Sequence, residues 1–314
     1  MKKILFYLLS KIEFFTGYFV SISLHPIKFE SYPSVDRIQD NDGSKVAIVV
    51  QGPVIIKNDF TFETLKLYVN IFPNEIIVLS TWDCNKNVEV FAKIRNLGVH
   101  VVLNKYPEYA GIGNVNYQIF STISGVVEAE LLGATHCIKT RTDQRIYRNT
   151  SVNLLMSILN SFALSDNSKN QNQRILSVDY STSTRELYWL GDVFMFGNIY
   201  DIKKYWSVGL QSDKADVYLD DDFNKCMNSD GLIPEMYLTV SYLKSIGCDL
   251  KWSKCDWWNV IKDRFCVVDK DMIDLYWQKY DSRFRSNSLQ DYSCLDSDSR
   301  INFARWITEY TSKK

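Results

Sequence analysis

The chain has 314 residues, 46% of them hydrophobic, and a formal net charge of -1 at pH 7. That length supports one large α/β domain, alone or with an extension, and the near-neutral charge argues against a nucleic-acid substrate, which calls for a broad basic field. The seven cysteines (Cys84, Cys137, Cys226, Cys248, Cys255, Cys266, Cys294) are odd in number and include no CxxC pair, and there are three histidines (His25, His100, His136), so Cys/His metal sites and a His-based triad are poorly supported and reduced cytoplasmic thiols are the simplest reading.

Residues 4–24 are strongly apolar, led by Ile4-Leu5-Phe6-Tyr7-Leu8-Leu9 after Lys2-Lys3. Lys11 and Glu13 interrupt the run and no small-residue cleavage site follows, which argues against a signal peptide. The same charges disfavour a spanning helix. Two readings stay open: a helix packed on the domain, or residues 1–24 as a peripheral membrane contact lying in the interface. Residues 31–44 are polar and turn-rich and read as a linker, which sets the domains as 1–44 and 45–314.

Lys45–Val50 reads as a buried strand ending at the turn Gln51-Gly52-Pro53. Phe60, Leu65, Leu67 and Tyr68 give residues 60–70 a helical pattern, which Pro73 closes before a strand over 75–80. Residues 87–97 read as a helix stopped by Gly98, and 99–103 as a third strand. Strands alternating with helices predict a parallel sheet of βαβ units, whose ligands sit beyond the C-terminal strand ends. Gln51, Gly52, Ser80, Thr81, Trp82, Asp83 and Asn104 fall on that rim. Beside a donor nucleotide, Gly52 would allow close backbone approach and Gln51 would offer its amide; an ordinary turn at 51–53 is the alternative.

After Gly111-Ile112-Gly113, residues 114–132 carry apolar positions at helical spacing, with Gly133 as a stop. Asn114, Asn116 and Gln118 open this helix, where unpaired backbone N–H groups attract an anion; simple N-capping by Asn114 explains the pattern equally well. Residues 139–145 follow as a strand whose alternation places Lys139, Arg141 and Asp143 on one face. Charges inside a parallel sheet need partners or a ligand. Asp143 is a candidate ligand for a divalent cation, and Lys139, Arg141 and Arg145 are candidates for phosphate; a structural ladder of ion pairs is the competing account.

Residues 151–163 look helical, 164–173 form a polar loop, 174–179 a strand, 188–197 a strand pair or bent strand, and 234–246 a helix. Asp192, alone among apolar residues, leads as the base for an acceptor hydroxyl. Glu235 is the second candidate, although first-turn acids after a proline such as Pro234 are ordinary helix-dipole partners. Asp220-Asp221-Asp222 reads as a solvated acidic loop, and Trp257-Trp258 as core or acceptor groove.

Six stretches carry a resemblance: Val49-Val-Gln-Gly-Pro-Val54, Val78-Leu-Ser-Thr-Trp-Asp83, Asn114-x-Asn116-x-Gln118-Ile119, Lys139-Thr-Arg-Thr-Asp-Gln-Arg145, Leu190-Gly-Asp192 and Pro234-Glu235-x-Tyr237-Leu238. Together they resemble the WavE-type lipopolysaccharide synthesis family, with the organisation of GT-A glycosyltransferases. The resemblance implies a mostly parallel central sheet flanked by helices. It also implies an enzyme that moves a sugar from a nucleotide-sugar donor to a lipid-linked or oligosaccharide acceptor of lipopolysaccharide core, O-antigen or capsule. A donor half at about 45–150, an acceptor half at about 174–314, and a cytoplasmic place, peripheral on the inner membrane, go with it. Where the general pattern is Asp-x-Asp, this chain has Arg141-Thr142-Asp143, so a divalent metal (Mn2+ or Mg2+) stays an open expectation. A sugar-nucleotide nucleotidyltransferase competes, without its usual glycine-rich loop after the first strand, as does a non-enzymatic scaffold of envelope assembly.

Overall fold

A computed structural model describes residues 2–17, 25–28, 43–84, 88–164, 170–212, 233–280 and 299–312. Two units emerge, Met1–Glu30 and Ser31–Lys314. In the first, the apolar run forms α1 (Lys2–Thr16), shorter than the expected 4–24. Gly17, at φ +69°, closes it by donating to the Glu13 carbonyl, the left-handed cap that glycine adopts without Cβ strain. Residues 18–24 and most of the expected linker, 31–42, lie outside the described residues. No described helix is long and apolar enough to cross a membrane.

In the second unit the βαβ reading holds. β1 (Val46–Gln51), α2 (Phe60–Ile71), β2 (Ile76–Trp82), α3 (Val88–Arg95), β3 (His100–Asn104), α4 (Val115–Leu131) and β4 (His136–Arg141) follow the predicted order. Val46 to Val50 are all buried, as expected of a parallel strand covered on both faces. After β5 (Gln144–Ile146), α5 (Ser151–Ser161), β6 (Ile175–Val178), β7 (Met195–Asn198), α6 (Ile199–Trp206), α7 (Pro234–Ser245), α8 (Lys254–Arg264), β8 (Phe265–Val268), β9 (Leu275–Trp277) and α9 (Phe303–Thr311), the central sheet has seven strands in the order β3-β2-β1-β4-β7-β6-β8. Six run parallel, and β7 alone runs against its neighbours β4 and β6. This is the α/β, mostly parallel arrangement flanked by helices that the resemblance implied.

α4 lies directly on β1 and β2. A Cβ on its Gly125 would stand 2.5 Å from Val49 Cγ1 and 2.9 Å from Ser80 Cβ, so only glycine allows that approach.

Two expectations need correction. Residues 139–145 are not one strand: β4 ends at Arg141, Thr142-Asp143 turns, and β5 pairs antiparallel with β9 in a separate two-stranded sheet. The Thr142 N–H donates to the Gln51 carbonyl, which ties the turn to the end of β1 and stops the alternation. Asp143 therefore meets Arg141 across a turn and not along a strand face. Likewise 188–197 is strand only from Met195. Upstream, Tyr188 sits at φ +59°, the Trp189 carbonyl accepts from the Ser183 N–H, and the Gly191 N–H donates to Thr182 Oγ1, so this backbone is spent on loop contacts.

Candidate active site

A cavity of about 630 Å³ opens where the parallel strands end. β1 brings Gln51 and Gly52 to it, β2 brings Trp82, and β4 brings Arg141. Gly52 is required by geometry: its φ is +118°, and a Cβ there would lie 3.0 Å from Thr142 Oγ1. Gln51 is buried, and its Oε1 accepts from Ser121 Oγ on α4 at 2.9 Å.

Two helix starts converge on the same space. Gly113, at φ +57°, precedes α4, and its Cβ would meet Pro234 Cγ at 2.8 Å. The lack of a side chain there lets the openings of α4 and α7 meet, bringing Asn114, Tyr117 and Gln118 to one wall and Pro234 and Glu235 to another. Asn114 is left-handed (φ +62°) and makes no side-chain cap, so simple capping does not explain it. Gln118 Oε1 is buried without a hydrogen-bond partner among the described residues.

At one end of the cavity Arg141 grips Asp143 with two bonds, Nε to Oδ1 at 2.9 Å and a second guanidinium nitrogen to Oδ2 at 3.2 Å. The guanidinium also lies over the Trp277 ring, 5.2 Å from its centroid. Burial pushes the Asp143 carboxyl up, but the Arg141 charge, its hydrogen bonds and one from Trp277 outweigh this and hold it below the usual range. The pair is an oriented unit at the C-terminal end of β4, the middle strand of the sheet.

The opposite wall is acidic. Asp192 is 2% exposed, lines the cavity, and has no hydrogen-bond partner for Oδ2 among the described residues. Its position is set by Gly191, where a Cβ would come within 2.5 Å of the Tyr180 carbonyl oxygen. Glu235 is half-buried; burial first, and then the Asp192 charge, push its carboxyl up to about 8.

An aromatic cluster forms the third wall. Trp82 and Tyr106 stack at 4.2 Å with planes 16° apart, and Tyr117 meets both edge-on at 5.5 and 5.1 Å.

Gln51, Gly52, Pro53, Trp82, Asn114 and Gln118 thus share the cavity with Arg141, Asp143, Asp192 and Glu235. Four other candidates lie elsewhere. Thr81 is buried, with its carbonyl accepting from Asn104 Nδ2 at 2.9 Å. Asn116 is spent bridging the Tyr109 and Gln211 backbones. Arg145 is buried over the Phe60 ring and donates to Thr64 Oγ1 and the Phe60 carbonyl. Lys139 is fully buried behind the wall and donates to the Asp192 carbonyl. Sequence reasoning missed Tyr106, Tyr117, Trp277 and Lys279, which also line the cavity. Tyr117 was within reach, since it stands inside the Asn114-x-Asn116-x-Gln118 motif; Trp277 and Lys279 come from short elements with no sequence signal.

A divalent ion fits poorly among the described residues. Hard cations need several converging oxygens, but both Asp143 oxygens are engaged by a guanidinium that would repel the ion. No group of three His, Cys, Asp or Glu side chains able to hold a metal comes together among the described residues. The acidic run 220–222 lies outside them.

The family model described as WavE lipopolysaccharide synthesis matches residues 46–313. No curated protein matches the chain. Among solved structures, the chain is similar to a glycosyltransferase involved in glycosylation of the major capsid of PBCV-1, at 11% identity and TM-score 0.37, covering 72% of this chain and 82% of that one. It is also similar to a cytidylyltransferase from Leptospira borgpetersenii (12% identity, TM-score 0.35, 53% and 66% covered) and to the glycosyltransferase GlyE of Streptococcus pneumoniae (11%, 0.35, 85% and 62%). Likenesses this distant carry no argument about activity.

Proposed function

Because the chain belongs to the WavE lipopolysaccharide synthesis family, we propose that it is a glycosyltransferase moving a sugar from a nucleotide-sugar donor to a bacterial surface glycan: lipopolysaccharide core, O-antigen or capsule. The observation that carries this reading is one cavity at the strand ends with an oriented cation, Arg141, on one wall and, on another, the buried carboxylate of Asp192, one oxygen of which has no hydrogen-bond partner among the described residues.

Sugar transfer needs positive charge where the leaving diphosphate gathers negative charge, and a base for the acceptor hydroxyl. Arg141, held in place by Asp143 and Trp277, and Lys279 on the rim serve the diphosphate. Trp82, Tyr106 and Tyr117 offer ring faces and edges to the base of the nucleotide, and Gln51, Gly52, Pro53 and Asn114 line its path. Asp192 takes the proton of the attacking hydroxyl, and Glu235 beside it tunes that proton's exchange. The donor half spans about 45–150 and the acceptor half about 174–314, with the cavity drawing on both.

The acceptor is a lipid-linked or oligosaccharide glycan, met at the cytoplasmic face of the inner membrane, where residues 1–24 make a peripheral contact. Diphosphate binding uses this chain's cations; a divalent ion (Mn2+ or Mg2+) is the other reading, and the test separates them.

Purified protein is offered a panel of UDP-, GDP- and CMP-sugars, with and without manganese, and slow donor hydrolysis is followed. One donor is expected to be hydrolysed, with Asp143→Ala removing most of the rate by releasing Arg141. Absence of any nucleotide-sugar binding at millimolar concentration, with or without manganese, overturns the reading.

A further inference from the structure

Lys139 is the fourth residue of the six-residue strand β4, with no ladder reason to be charged. It is 0% exposed, its strand is flanked by β1 at Val49 and β7 at Met195, and it does not line the cavity. Among the described residues its ammonium makes one hydrogen bond, to the backbone carbonyl of Asp192, and sits over the Trp206 ring 4.4 Å from the centroid. A lysine has three donors to satisfy, and an ammonium taken out of water is costly unless it is compensated. A methionine would fill the same space without that cost. The compensation available is the acidic wall just in front of it.

We propose that Lys139 is a positioning residue for the transfer reaction: from behind the cavity wall its ammonium fixes the backbone at Asp192 and supplies the positive charge that keeps the Asp192–Glu235 pair able to hold a negative charge. This rests on the reading of Asp192 as the base. The phosphate role that the sequence suggested for Lys139 is replaced by one toward the acceptor side, since the side chain reaches Asp192 and not the open cavity.

The groups facing Lys139 make the balance explicit. Burial lowers it most, to about 7; the Asp192 charge raises it, Arg141 lowers it, and Asp143 and Glu235 raise it. Tyr205, buried on α6, is pushed up by burial first and then, despite its bond with Thr239, by the charges of Asp192 and Glu235, so it stays a neutral phenol and adds no compensating charge. Lys139 is thus the one cation among these groups that touches the Asp192 segment directly.

Two variants separate charge from mechanical support. Lys139→Met removes both; Lys139→Gln keeps a donor for the Asp192 carbonyl but no charge. In the pH profile of kcat/KM for the donor identified by the panel, both are expected to move the acid limb up by about one pH unit, the size of a lost close opposite charge. A loss equal at every pH, or a Lys139→Gln profile that matches the wild type, overturns the proposal. Carboxyl 13C titration of Asp- and Glu-labelled protein reads the same shift without any turnover, so the inference is judged even if no donor is hydrolysed and the glycosyltransferase reading fails. Should neither variant fold, Nζ 15N titration of the wild-type chain is expected to show the buried lysine protonated over the pH range of the acid limb; a buried lysine that is neutral throughout that range overturns the proposal.

Discussion

Asp192 and Glu235 differ in what their surroundings ask of them, and a pair of amide substitutions tells them apart. Asp192→Asn removes the proposed base while keeping shape. Loss of a general base costs on the order of 100-fold or more in rate, so kcat is expected to fall by at least that much while the donor KM stays within about threefold. A raised KM with kcat intact would instead make Asp192 a binding group. Glu235 makes a stability prediction. Burial, and then the Asp192 charge, push its folded carboxyl from the ordinary 4.5 up to about 8. Between those values the unfolded chain has lost a proton that the folded chain keeps, so unfolding gains as pH rises through the window and levels off above it. Glutamine cannot ionise. The Tm of Glu235→Gln is therefore expected to match the wild type near pH 4 and to exceed it by a margin that widens up to about pH 8; a margin independent of pH would contradict the buried, charge-opposed environment. Much of this site was legible from residue types: a lone carboxylate in an apolar run at Asp192 and the cation–carboxylate run at 141–143 both pointed to the cavity. Lys139 and Arg145 misled because a basic residue in a motif says nothing of which side of the strand it faces. Arg145 proved to be held by Thr64 and Phe60.

Helices and strands fix where those residues stand, and α4 is the element on which most depends. It carries Tyr117 and Gln118 to the cavity while Gly125 rests on Val49 and Ser80. Gly125→Ala inserts a methyl group where a Cβ would have 2.5 Å. Overpacking of this kind costs roughly 1–3 kcal/mol, against the roughly 1 kcal/mol that alanine gains over glycine in a helix interior, and the 2.5 Å approach puts this site at the costly end. Urea unfolding is expected to show a lower midpoint with an unchanged slope, together with weaker donor binding as the helix start moves; an unchanged or raised midpoint would mean that α4 can slide without consequence. The first half of the sheet was readable because its strands are apolar runs bounded by glycine, proline or asparagine. Further on, β6 (Ile175–Val178) matched the strand expected at 174–179, but other strands were not legible, for physical reasons. β7 and β9 span only Met195–Asn198 and Leu275–Trp277, too short for a period to show. The Thr142-Asp143 turn is set by a long-range bond to Gln51 that no local pattern records.

At the scale of the whole chain, α1 has different chemistry from the sheet unit. Its 15 residues rise about 22 Å, short of the roughly 30 Å of a bilayer's hydrocarbon, yet Tyr7, Leu8, Ile12, Phe14 and Phe15 are exposed. Lys2, Lys3 and Lys11 outnumber Glu13 in the same helix. An apolar surface with a basic excess suits an anionic bilayer interface, where apolar burial and charge attraction add. Of the two readings open in the sequence, the interface is the one we propose, because a lipid-linked acceptor gives the contact a purpose: both substrates then meet at one surface. The full chain is expected to co-sediment with phosphatidylglycerol-containing vesicles, less so as salt rises, and a chain lacking residues 1–24 to stay in the supernatant. Hydrolysis of free donor should differ by less than about twofold between the two forms, because the cavity is built wholly from residues beyond 50, whereas transfer to a membrane-embedded acceptor should fall about tenfold or more, as expected when a shared surface no longer concentrates enzyme and acceptor. Equal sedimentation of both forms would remove the membrane role. Loss of free-donor hydrolysis on truncation would assign α1 to the stability of the catalytic unit instead.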